Sequence, residues 1–132
     1  MSHIAARKTI LLALPSGTPK HLHIFLTDPI GENPARVLVV NVTTYKHDKQ
    51  DRTVVLNVGD HPFIQHESII YFYNARIILA DYAQQEIDRN GFQYKEDVSD
   101  ELYRRIINGL LTSRETPTDI KNFCRQHVIL DD

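Results

Sequence analysis

The chain has no tryptophan, one cysteine, one methionine and only five glycines among 132 residues. A single cysteine, Cys124, excludes an internal disulfide framework and agrees with a reducing compartment. It falls within an apolar helical pattern, where a thiol serves as a small core group and not as a nucleophile. Long hydrophobic runs are missing too, and none approaches the roughly 20 residues of a membrane span. Arg7 and Lys8 precede Ile10-Leu11-Leu12-Ala13-Leu14, but that run is short. It ends in Pro15-Ser16-Gly17 without a small-residue cleavage pattern, so the expected location is cytoplasmic. Excess charge of either sign is also absent, the net charge being −2. That does not advertise nucleic acid as a partner. The serine-hydrolase, P-loop, dinucleotide and zinc-protease signatures do not occur.

What charge there is lies unevenly. Residues 1–80 hold eight basic and six acidic side chains, and the remainder seven and eleven. Six of the seven histidines fall in that first part. A mildly basic first part permits a local anion site without a strong global field.

One ordinary domain is the organisation expected of this length, with no repeat and no linker. Thr9–Leu14 reads as a strand and Pro15–Pro19 as a loop. His21–Thr27 alternates with a period of two, and Asp28–Pro34 is a broad turn with two prolines. Arg36–Thr44 is dense in β-branched residues, as a buried central strand is. Tyr45–Arg52 suits an exposed hairpin loop, with further strands at Thr53–Val58 and Ser68–Phe72. The period changes after about Asn74. A first helix runs over Ile78, Tyr82 and Ile87 to a stop at Asn90-Gly91. A second is capped by Ser99, and a third starts from Thr116 as N-cap with Pro117 behind it. Strands first and helices after predict an α+β domain. The β-rich part spans about 9–78 as a small SH3-like barrel or bent antiparallel sheet, and the helical part about 79–130. The helices are expected to cover one face or edge of the sheet and not to alternate with it.

The chemistry is densest in Gly59-Asp60-His61-Pro62-Phe63-Ile64-Gln65-His66-Glu67-Ser68. An imidazole ordinarily titrates at about pH 6.5, so two of them can share the roles of acid and base near neutrality. Pro62 breaks the strand, which allows the rings of His61 and His66 to converge. Such a pair suits attack of a ribose 2′-hydroxyl on the adjacent phosphate without a metal. Ser68, two residues beyond His66, would donate to a phosphate oxygen or orient His66. Alternatively, it is a strand-start hydroxyl bonded to nearby backbone. Asp60 or Glu67 would orient a histidine. The rival use of the same groups is zinc, through two histidines and a carboxylate, with His47 or His23. Lys46, Lys49 and Arg52 interleave with Tyr45 and His47, diluted by Asp48 and Asp51, in what is most simply a solvated hairpin tip; Tyr71 and Tyr73 are either strand packing groups or a stacking face. These are ingredients of a single-stranded nucleic-acid platform.

Ile24-Phe25-Leu26-Thr27-Asp28-Pro29, the turn, and Arg36-Val37-Leu38-Val39-Val40-Asn41-Val42-Thr43-Thr44 together resemble the start of the PemK/MazF-like proteins. The resemblance covers roughly His21–Ile78. It implies an SH3-like barrel with appended helices and a toxin-type endoribonuclease of a bacterial toxin–antitoxin system. It further implies action on single-stranded RNA without metal or other cofactor, a homodimer, and an antitoxin protein as partner. The family sets an arginine before a proline-led apolar strand and a threonine at the end of the next strand. Matched on Arg36, this sequence lacks the proline, and its next strand ends in Asn57-Val58-Gly59. Matched on Thr43-Thr44, it has no preceding arginine strand. The expected machinery is therefore His61 and His66 as acid and base. Ser68 with Thr43 or Thr44 would contact phosphate, and Arg36 or Lys46 would stabilise charge. The competing expectation is a non-catalytic SH3-like module that binds a protein partner or RNA. Convergence of the two rings on an open cleft favours catalysis, and burial against backbone favours the module.

Overall fold

Arg36–Thr44 forms a nine-residue strand, β3, around which the other strands assemble. The structure, a computed structural model, describes residues 4–12, 21–90 and 94–130. The preceding strands are β1 (Thr9–Leu12) and β2 (His21–Phe25); β4 (Val55–Leu56), β5 (Ser68–Ile70) and β6 (Arg76–Leu79) follow β3. Helix α1 (Ala80–Asn90), the short strand β7 (Tyr94–Lys95), α2 (Asp100–Thr112) and α3 (Thr118–His127) complete the chain. The strands make one antiparallel sheet in the order β4-β5-β3-β2-β1-β7, with β6 also paired to β3. The fold is α+β, and the sheet is open, so the bent-sheet form of the expectation is the one realised. Among the described residues no helix is long and apolar enough to cross a membrane. The loop expected at Pro15–Pro19 and the glycine of the Asn90-Gly91 stop lie outside the described residues.

β3 is buried on both faces because both faces are apolar. Val37 and Val39 pack with Ile10, Phe25, Ala83 and Ile87, the last two from α1. Leu38, Val40 and Val42 pack on the other side with Leu102, Ile106 and Leu110 of α2 and Ile120 and Phe123 of α3. The helices thus cover both faces, against the expectation of one face or edge. A strand apolar at successive positions demands a cover on each side, and α1, which starts directly after β6, is the nearest available.

The second edge of β3 is shared. Its first half pairs with β6, Val39 opposite Arg76, and its second half with β5, Val42 opposite Ile70. Two residues of β3 therefore face five residues between the paired positions, and the excess is coiled into a 3₁₀ turn at Phe72–Asn74. Phe72 turns into the core with no exposure, while Tyr73 stays 66% exposed. The sequence reading of a continuous Ser68–Phe72 strand is shortened accordingly. β4 is likewise only two residues of the expected Thr53–Val58.

Two helix starts differ in outcome. Ser99 caps α2 as expected, its hydroxyl accepting from the N–H of Leu102 at 3.1 Å. Thr116 does not cap α3. Pro117 takes the N-cap position without a side-chain bond, and the Thr116 hydroxyl is buried with no partner among the described residues. In α2, Gly109 is where close approach is needed. A Cβ there would stand 2.3 Å from Val54 Cγ2 and 3.2 Å from Phe72 Cζ.

Candidate functional site

The Gly59–Ser68 segment is a tied corner. Gly59 adopts φ +106°, a left-handed conformation that costs a side-chain-bearing residue energy. The Asp60 carboxylate accepts from Asn57 N–H at 2.7 Å and stands 3.7 Å from Arg105. Arg105 also donates to the Val55 carbonyl at 2.7 Å, which fastens the corner to α2.

His61 is 3% exposed, and backbone groups satisfy its ring. Phe63 N–H donates to Nδ1 at 3.1 Å, so the ring proton sits on Nε2 and goes to the carbonyl of Glu96. That carbonyl also accepts from Thr9 Oγ1 at 2.7 Å. His61 is thereby a strut between the β4–β5 corner and the segment after β7, drawing the two ends of the sheet path together. His66, by contrast, is exposed and faces a cavity that His61 does not line. The two rings occupy separate surroundings, so the expected acid–base pair does not form. Proline turns the chain, as expected, but the turn carries His61 inward.

Neither carboxylate orients a histidine. Asp60 serves the corner, and Glu67 faces Arg52 at 3.9 Å. Ser68 is buried and its hydroxyl donates to the carbonyl of His66 at 2.9 Å, the local role of a strand-start hydroxyl. Its one proton is thereby spent, so it presents only lone pairs to the cavity it borders and does not fill the expected role of donor to a phosphate oxygen.

That cavity has a volume of about 410 Å³ and opens at the ends of β2, β3 and β5. Thr43, Thr44, Lys46, His66 and Ser68, all singled out from sequence, line it, and so does His21, which sequence reasoning left as a strand residue. The register explains His21. β2 pairs His23 with Asn41, and continuing that register by two residues brings His21 level with Thr43. Arg36 is elsewhere. It lies at the opposite end of β3, roughly 25 Å away at a strand's rise per residue. There its guanidinium sits 5.9 Å from the centre of the Phe123 ring, in a groove shared with His127. It cannot stabilise charge in the same cavity as Lys46. No family model matches the chain, and no curated protein matches it.

The loop after β3 is internally bonded, which fixes where Lys46 starts. The Gln50 side chain accepts from the N–H groups of Lys46 and His47 and donates to the Thr44 carbonyl. The Arg52 guanidinium lies 4.6 Å from the centre of the Tyr45 ring, and Tyr45 donates to Asp48 at 2.9 Å. That hydrogen bond, and then burial, push the Tyr45 hydroxyl above its ordinary pKa, against the pull of Arg52. Asp51 anchors the loop to the end of α2. Burial works to raise its pKa, but the hydroxyls of Ser113 and Thr53 and the N–H of Thr53 together hold it below the usual value.

On the opposite sheet face from α2 and α3 lies a polar network that the sequence did not advertise. His23, with no exposure, meets the His21 carbonyl through Nδ1 at 2.9 Å and Arg76 through Nε2 at 3.4 Å. Arg76 donates to the Asn74 carbonyl at 3.0 Å, and Asn74 donates to Asn41 Oδ1 at 2.9 Å. Burial lowers the pKa of Arg76, with Tyr82 opposing. The network holds the 3₁₀ turn and therefore the exposed Tyr71/Tyr73 pair, whose ring centres are 6.0 Å apart. Among the described residues no three His, Cys, Asp or Glu side chains gather as a metal site. His23 and His61, two of the histidines considered for zinc, are committed to these internal bonds.

Proposed function

We propose that this protein is a binding module for single-stranded RNA, with the strand's phosphates held in the cavity at the ends of β2, β3 and β5. One observation carries this reading: the Lys46 ammonium, the His21 and His66 imidazoles and the hydroxyls of Thr43 and Thr44 border one open cavity. A cation, ring N–H donors and hydroxyls converging on a concave surface are what a phosphodiester requires. Phe63, 37% exposed on the same wall, offers a face on which a base can stack. The burial of His61 against backbone favours binding over cleavage by the His61/His66 pair. The PemK/MazF-like resemblance of His21–Ile78 agrees with RNA as the ligand. It also supplies the proposed setting, a toxin–antitoxin system with an antitoxin protein and a homodimer.

A toxin-type endoribonuclease is the second reading, and His21 is the observation that favours it. With His66 it places two imidazoles and a lysine on one cavity, enough to take a proton from a 2′-hydroxyl and return one to the leaving oxygen. The test is fluorescence anisotropy with labelled single-stranded RNA, beside a gel of the same mixtures. Lys46→Ala should weaken binding several-fold and make the logarithmic salt slope shallower by about 0.7, one phosphate contact's share. Lys46→Ala binding like the parent protein would overturn the assignment. Intact RNA in the gel supports the module. Cleavage abolished in both His21→Ala and His66→Ala supports the enzyme.

A further inference from the structure

A second cavity, about 520 Å³, adjoins the first across Thr43, which lines both. Its wall carries Tyr71 and Tyr73, the loop residues His47 and Lys49, and two carboxylates, Asp51 and Glu115. We propose that this cavity is a nucleobase subsite that prefers guanine, a specificity that rests on the RNA-binding reading of the neighbouring cleft.

The aromatic pair sets how a base enters. Slotting a base between two rings needs roughly 7 Å, twice the ~3.4 Å rise of stacked bases. The Tyr71 and Tyr73 centroids are 6.0 Å apart and their planes are inclined by 37°. A base therefore stacks on the outer face of Tyr73, which is 66% exposed, with Tyr71 bracing it from behind. The 3₁₀ turn beneath is pinned through Asn74 to Asn41 and through Tyr71 N–H to the Asn41 carbonyl at 2.9 Å. The platform is thus ordered before a base arrives, which lowers the entropy lost on binding.

The two carboxylates are not equivalent. Asp51 already accepts from Thr53 N–H, Thr53 Oγ1 and Ser113 Oγ, so both of its oxygens are engaged. The backbone N–H of Glu115 is held by Ser113 Oγ at 3.1 Å, which fixes its stem, while its carboxylate has no partner among the described residues. A free carboxylate beside a stacking face selects for two adjacent donors. Guanine alone presents them, N1–H next to the N2 amino group. Adenine and cytosine pair one amino donor with an acceptor that the carboxylate repels, and uracil flanks one N–H with two carbonyls. Single-stranded RNA is read in this way, by stacking and by bonds to the Watson–Crick edge. Lys49, without an ion pair among the described residues, lies beside the subsite to meet the flanking phosphate.

The test uses labelled oligouridine strands with one central guanine, inosine or adenine, titrated by anisotropy against the full chain. Guanine should bind on the order of tenfold tighter than adenine, the scale of one good bidentate contact. Inosine, which keeps N1–H and lacks the amino group, should fall between. Glu115→Gln should erase the order among the three strands, and Tyr73→Ala should weaken all strands together. Circular dichroism and a melting curve confirm that both variants are folded. Equal affinity for the three strands, or an order that persists in Glu115→Gln, would overturn the guanine subsite and leave the RNA reading standing. No binding of any strand would overturn both.

Discussion

Replacing His61 with alanine should weaken the fold substantially and leave RNA affinity intact. The substitution removes the bond to the Glu96 carbonyl and the acceptor for Phe63 N–H. The Glu96 carbonyl keeps Thr9 Oγ1, but Phe63 N–H is stranded in a part-buried position. A stranded donor costs about 1–3 kcal/mol and a lost net hydrogen bond about 1 kcal/mol. With the space left by the ring, a loss of roughly 3 kcal/mol is expected. For a chain of this length that corresponds to a fall in melting temperature of about 10 °C. His61→Asn should recover about half, because its side-chain oxygen can stand where Nδ1 does and accept from Phe63 N–H. Urea unfolding gives the free energies, and anisotropy well below the lowered midpoint gives the affinities. His66→Ala should behave inversely, within about 0.5 kcal/mol in stability, as for an exposed side chain, and weaker for RNA. If His61→Ala were as stable as the parent, the strut would be wrong. If it were fully folded yet lost RNA binding, the ring would belong to the site after all.

Other consequences are quicker to check. Gly109→Ala would press a methyl against Val54 and Phe72. Overpacking of about 1–3 kcal/mol outweighs the ~1 kcal/mol of helix propensity gained, so the variant should be modestly less stable by urea titration. Because Asp51 has a lowered pKa in the folded chain, its bonds add stability above its ordinary value of 3.8, and that stability is lost as pH falls through the lowered folded value. Asp51→Asn should therefore melt below the parent at pH 7, with the gap closing under acid conditions below 3.8; a gap that is constant across pH would refute the assignment. Burial pushes the Cys124 thiol up to about 11. Iodoacetamide at pH 7.5 should leave it unmodified in the folded chain and label it fully in urea, followed by mass spectrometry.

The parts of the fold legible in sequence were those where one residue type admits one solution. Six β-branched residues among the nine of Arg36–Thr44 favoured a central strand. Ser99 before Asp100 and Glu101 had to start a helix. What stayed hidden depended on register and on which face is covered. His21 and His23 share a side of β2 in any register, but only the pairing with β3 sends His21 to the cavity rim and His23 into the network. Nearness along the chain misled in the opposite sense. His61 and His66 are five positions apart, and the turn at Pro62 that could have joined them instead buries one. Arg36 and Thr44 lie on one strand, yet a strand's length separates them. Thr116 has the composition of a cap, but Pro117 occupies the cap position. The Asn41–Asn74–Arg76–His23 network left no periodic signal, since its members come from β2, β3, the 3₁₀ turn and β6.

Amide chemical shifts in ¹⁵N-labelled protein during titration with single-stranded RNA would decide whether the cavity bordered by Thr43, Thr44, Lys46 and His66 receives the RNA backbone. Perturbations should concentrate at Thr43–Lys46 and Gln65–Ser68, with the Arg36 and His127 groove unmoved. Shifts confined to that groove, or none at a strand concentration that saturates anisotropy, would contradict that placement.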